Sequence, residues 1–85
     1  MVVQQTSIQT YRNLVLETRQ YEVYKLLKFQ NFGLNNRMIA EALGRPINSI
    51  TPRVNELVKL GLCEEHHKDY DKVTKRYTIF WSVKQ

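Results

Sequence analysis

An 85-residue chain has room for one domain with one small core, and it buries only roughly 60–65% of its unfolded surface. Its single cysteine excludes an internal disulfide framework, and the absence of a basic segment leading into an apolar run, or of any apolar run near the roughly 18 residues that span a bilayer, points to a soluble, cytoplasmic protein with no membrane partner. A net charge of +5 favours an anionic partner, yet residues 1–30 carry four basic and two acidic side chains and residues 31–85 nine and six, so neither half is a basic tail.

Residues 1–17 read as an extension preceding a domain at 18–85. Met1 to Gln5 show no periodicity, and Thr6 or Ser7 can cap a short helix carrying Ile8, Tyr11 and Leu14. Those three side chains are candidates for a homodimer contact, and they could equally pack on their own core. A clearer helix is expected from Thr18, as its cap, to about Phe29, with Val23, Tyr24 and Leu27 turned inward. Asn31, Phe32 and Gly33 break it.

Asn35 is placed to cap the next helix, which carries Ile39, Ala40 and Leu43 as an apolar stripe. Ala40 is small enough to let another helix cross closely. Gly44 ends the segment, because a glycine takes the left-handed conformation at little cost, and the chain turns through Arg45, Pro46 and Ile47. A third helix is expected from about Ser49 to Leu60, with Asn48 or Ser49 as its cap and Pro52 tolerated in the first turn. Ile50, Val54, Leu57 and Val58 share its apolar face, and Gly61 closes it.

After Gly61 the period becomes extended. Leu62 to His66 read as one strand, in which Cys63 is a buried, inert thiol. Tyr77, Ile79 and Trp81 alternate with Thr78, Phe80 and Ser82 in a second strand, leaving His67 to Lys75 as the hairpin tip. Most of the aromatic side chains are expected in the core.

The stretch from Asn48 to Leu62, together with TRQYEV upstream and the VTKRYTIFW strand downstream, resembles the winged helix-turn-helix family. It is similar in particular to regulators whose second helix reads S-x-V-T-x-x-V-x-x-L-x-x-x-G-L, and to small winged-helix proteins of phage and bacterial genomes. The resemblance covers about Thr18 to Val83. It implies an α+β, mainly helical fold: a three-helix core, here with an extra short amino-terminal helix, and a carboxy-terminal β-hairpin wing. It also implies DNA binding. In the resembling regulators an arginine often directly follows the threonine, whereas here Pro52 holds that place and Arg53 comes one later.

With the apolar face inward, roughly 100° per residue puts Asn48, Pro52, Asn55 and Lys59 on the opposite side, with Thr51 at its edge. These residues and Ser49 are the candidates to face bases in a major groove. An asparagine can read adenine, and the methyl of Thr51 can meet that of a thymine. Arg53 lies on the other flank, where it can reach a phosphate or pair with Glu41 or Glu56. The remaining phosphate candidates are Arg37, Arg45 and the hairpin cations Lys68, Lys72, Lys75 and Arg76.

His66 and His67 beside Glu64 and Glu65 have the composition of a metal site but not the spacing, since successive strand residues point to opposite faces. No nucleophile has a base partner in view, no glycine-rich phosphate loop occurs, and no small-molecule ligand or cofactor is indicated. The expectation is therefore a non-enzyme. It binds double-stranded DNA as a transcription regulator or as a phage replication or recombination accessory. The competing reading is a winged-helix adaptor that binds another protein.

Overall fold

The computed structural model describes residues 16–84. Three helices, α1 (Thr18–Phe29), α2 (Asn36–Leu43) and α3 (Ile47–Lys59), precede two antiparallel strands, β1 (Cys63–Asp71) and β2 (Arg76–Val83). The expected helix carrying Ile8, Tyr11 and Leu14 lies outside the described residues.

The start of α1 differs from expectation by one residue. Glu17 is the cap: its carboxylate accepts the Arg19 N–H at 3.1 Å, while the Gln20 side chain accepts the Glu17 N–H at 3.0 Å, a reciprocal capping box. Thr18 is thereby the first helical residue. Val23 and Leu27, one turn apart, are buried, and Tyr24 packs at the edge of the core. Beyond the helix the chain passes Gly33 at φ +86°, where an added Cβ would stand 3.3 Å from the His66 side chain. Leu34 then pairs with Trp81 through two backbone hydrogen bonds of 3.0 and 2.8 Å, which ties the hairpin to the helices.

At α2 the local signals act as read. The Asn35 side chain accepts the Met38 N–H at 2.9 Å, and Gly44 closes the helix at φ +65°. Backbone bonds from Gly44 to Glu41 (3.3 Å) and from Arg45 to Ala40 (3.0 Å) satisfy the last carbonyls. The turn is short, so α3 begins at Ile47, two residues earlier than expected, with Pro46 as a cap that offers no side-chain bond. Asn48 and Ser49 are consequently inside the first turn and do not cap it. Pro52 falls in the second turn, where its missing N–H leaves the Asn48 carbonyl without its helical partner. Asn48 is exposed, so water can take that carbonyl.

Ile50, Val54 and Leu57 of α3 are fully buried against Val23 and Leu27 of α1 and Ile39 of α2. Each such side chain contributes about 1.5–3 kcal/mol by leaving water, which makes α3 the central element of the core. It ends in a Schellman arrangement in which Gly61 N–H reaches Val58 and Leu62 N–H reaches Leu57, both at 3.0 Å.

The hairpin is longer and tighter than the sequence suggests. β1 continues through His67 to Asp71, and the connection shrinks to Lys72–Lys75, with Lys75 at φ +60°. A β-bulge at His66, between the Glu65–Trp81 and His67–Phe80 pairs, shifts the register by one residue. The aromatic expectation fails as well: among the described residues only Phe80 is buried, whereas Tyr21, Phe29, Phe32, Tyr70 and Tyr77 are exposed.

Candidate nucleic-acid interface

The outward side of α3 carries Asn48, Pro52, Asn55 and Lys59, all exposed, and Ile47 at its first position is 49% exposed. Two candidates at the edge of this face are already engaged. The Ser49 hydroxyl donates to the Pro46 carbonyl at 3.0 Å; that of Thr51 donates to the Ile47 carbonyl and accepts from Asn36 Nδ2, each at 3.3 Å. A hydroxyl bonded back into its own helix has spent its donor, so Thr51 retains chiefly its methyl for an outside contact.

Three arginines of the helical region, Arg37, Arg45 and Arg53, are each held by carboxylates. Arg37 forks onto Asp71, Nε to Oδ2 at 2.8 Å and Nη2 to Oδ1 at 3.1 Å, and its Nη1 reaches Glu41 at 2.8 Å. Arg45 binds Glu22 across α1 at 2.9 and 3.1 Å. Arg53 pairs with Glu56, both contacts 2.9 Å, and Gln20 Nε2 donates to the same carboxylate at 2.6 Å. Two-pronged guanidinium contacts of this kind are geometrically specific and hold the cation in place. The hydrogen bonds raise all three guanidinium pKa values and lower those of Glu22 and Glu56. The Asp71 carboxyl is brought down to about 2, first by Arg37 and against the effect of its burial.

The hairpin contrasts with this. Lys68, Lys72, Lys75 and Arg76 are exposed, and among the described residues no carboxylate forms an ion pair with any of them. Tyr70 and Tyr77 face each other across the strands, edge to face at 5.5 Å between ring centres. A groove of about 450 Å³ lies between the hairpin and the start of α3, lined by Ile47, Arg76, Tyr77, Ile79 and Trp81 among others.

No protein-family model and no curated protein matches the chain. Among solved structures it is similar to the PcaV transcriptional regulator from Streptomyces coelicolor, solved in complex with its natural ligand, at 23% identity and a TM-score of 0.62. The likeness covers 98% of this chain but 57% of that one, so this chain spans little more than half of that regulator's length. The fold is a winged helix-turn-helix. Helices α2 and α3 form the helix-turn-helix, and β1 and β2 form the wing.

The bulge at the base of the wing also corrects the histidine geometry. It interrupts the alternation of faces, so His66 Nδ1 and His67 Nδ1 approach to 2.7 Å, and the His67 ring stacks on Phe80 with centres 4.6 Å apart. Among the described residues no three His, Cys, Asp or Glu side chains are grouped to hold a metal ion, and no helix is long and apolar enough to cross a membrane. Cys63 is buried, and burial pushes its thiol up to about 12, which keeps it protonated and unreactive.

The Arg53–Glu56 pair, three residues apart, was among the partners the sequence offered, whereas the Arg37–Asp71 and Arg45–Glu22 pairings and the histidine contact left no local mark. Arg37 and Asp71 are 34 residues apart and Arg45 and Glu22 are 23 apart, so only the fold brings them together.

Proposed function

We propose that this chain is a double-stranded DNA-binding regulator that places α3 in a major groove and the wing on the flanking backbone. The observation that carries the reading is an exposed polar face on α3 beside a hairpin bearing cations that have no carboxylate partner among the described residues. Asn48, Asn55 and Lys59 meet base edges and the Thr51 methyl meets a thymine, with Ser49 and Pro52 on the same contact surface. Lys68, Lys72, Lys75 and Arg76 meet phosphates. Arg37, Arg45 and Arg53 enter this account as cations that brace the scaffold, since each would have to leave a carboxylate before reaching a phosphate. The chain acts by docking and carries out no chemistry.

One recognition helix reads few base pairs, so tight specificity needs two copies on two half-sites. Ile8, Tyr11 and Leu14 are the residues proposed to join them. A cytoplasmic role in a bacterial or phage setting, in transcription or in replication and recombination, fits such a module.

Gel shifts on random duplex and on genomic fragments, with heparin as competitor, test the reading element. Asn55→Ala combined with Lys59→Ala should weaken binding to the preferred fragment by about 2–6 kcal/mol, about 1–3 for each of two lost base contacts, and reduce its advantage over random duplex. If the double variant bound every duplex as the wild type does, α3 would not be the reading element. If neither protein bound DNA, the exposed α3 face and wing would instead suit a protein partner.

A further inference from the structure

We infer that Asp71 is a positioning residue for the wing: its buried carboxylate pins the hairpin tip to the amino end of α2, so that the wing cations and the α3 face meet one duplex. The inference rests on the DNA-binding reading and concerns how that surface is assembled.

Asp71 is the last residue of β1, immediately before the Lys72–Lys75 turn, and is only 4% exposed although the turn and Arg76 beside it are exposed. The same carboxylate does two things. Within the turn it accepts the Val73 N–H at 3.0 Å, while the Asp71 carbonyl accepts the Lys75 N–H at 2.7 Å; together these shape the tip. Outside the turn it accepts both prongs of Arg37, the second residue of α2, and Asn35 Nδ2 at 3.0 Å. Asn35 is the α2 cap, 1% exposed, and its amide also donates to Thr78 of β2 at 3.1 Å. The next residue, Asn36, touches Thr51 of α3. A continuous series of polar contacts thus runs from the wing turn through the start of α2 to α3.

The distal hairpin has little else to hold it. Apart from the single Asn35–Thr78 hydrogen bond, its backbone tie is the Leu34–Trp81 pairing near the opposite end, and Lys72 to Tyr77 are all exposed. A two-stranded hairpin without packing is marginal in water, so a tip released from Asp71 would sample many positions. Its cations would then lose the fixed spacing to α3 that lets them bind as part of one surface.

The test uses Arg37→Met with Asp71→Asn, a pair that removes the clamp without changing net charge and without leaving either charge buried alone. Salt dependence of duplex binding is the readout, because it reports how many phosphates are engaged and not how stable the fold is. Relative to wild type, the clamp-free variant should lose about 2–3 units of log–log slope, like Lys72→Ala/Lys75→Ala/Arg76→Ala, whose three cations account for about 2.7. Adding the three alanines to the clamp-free variant should change its slope by less than about 1. A wild-type slope in the clamp-free variant would overturn the inference, as would equal losses from the alanines in both backgrounds. Should circular dichroism show the clamp-free variant unfolded, Arg37→Lys keeps the charge but not the two-pronged contact, and it should give an intermediate slope; an unchanged slope would again overturn the clamp. A wild-type protein whose binding ignores salt removes the DNA reading and the clamp together, whereas a steep wild type with an unaffected variant removes the clamp alone.

Discussion

The Asp71 carboxylate accepts four hydrogen bonds, two of them from Arg37, and this sets how the fold responds to acid. Its folded pKa of about 2 lies below the ordinary 3.8. A carboxyl depressed in this way stabilises the fold fully above its unfolded value and loses that contribution as pH falls through the folded value. Wild-type melting temperature should therefore fall between about pH 4 and pH 2, and Asp71→Asn should start lower at neutral pH but fall less over that interval. Equal melting temperatures for the two proteins at neutral pH would show that the carboxylate contributes nothing to folding. Glu22 and Glu56 are lowered in the same direction by Arg45 and Arg53, yet both are partly open to solvent and add little.

At the scale of elements, α3 carries a built-in defect. Pro52 interrupts its ladder in the second turn, an interior position for which proline costs about 3 kcal/mol relative to alanine, offset by about 0.4–1 kcal/mol because proline also restricts the unfolded chain. Pro52→Ala should accordingly stabilise the protein by about 2 kcal/mol in urea unfolding. No gain would mean that the ring makes a compensating contact despite its exposure. The same helix shows which features the sequence discloses. Its buried stripe of Ile50, Val54 and Leu57, the Gly44 and Gly61 stops and the Asn35 cap each depend on residues within a turn or two, and all are legible locally. The start at Ile47 was hidden because Pro46, a residue with no side-chain bond to offer, took the cap in place of Asn48 or Ser49. β1 was hidden for a different reason: from Glu64 to Tyr70 nearly every side chain is exposed, so no alternation of polar and apolar residues marks a strand.

At the scale of the molecule, folding sorts the candidate DNA-contacting cations into two groups that composition alone cannot separate. Arg37, Arg45 and Arg53 are absorbed in bracing the helices and wing, whereas Lys59, Lys68, Lys72, Lys75 and Arg76 form no ion pair among the described residues and lie on α3 and the wing. The sequence placed all of them on the candidate surface; Glu56, three residues on, takes Arg53, but for Arg37 and Arg45 partners tens of residues away decide the matter. The most direct test of the account is the equilibrium constant for duplex DNA measured from low to physiological salt. The four phosphate contacts of Lys68, Lys72, Lys75 and Arg76 predict a log–log slope of about −3.6. A flat response would contradict the proposal that this winged helix docks on DNA through α3 and its wing.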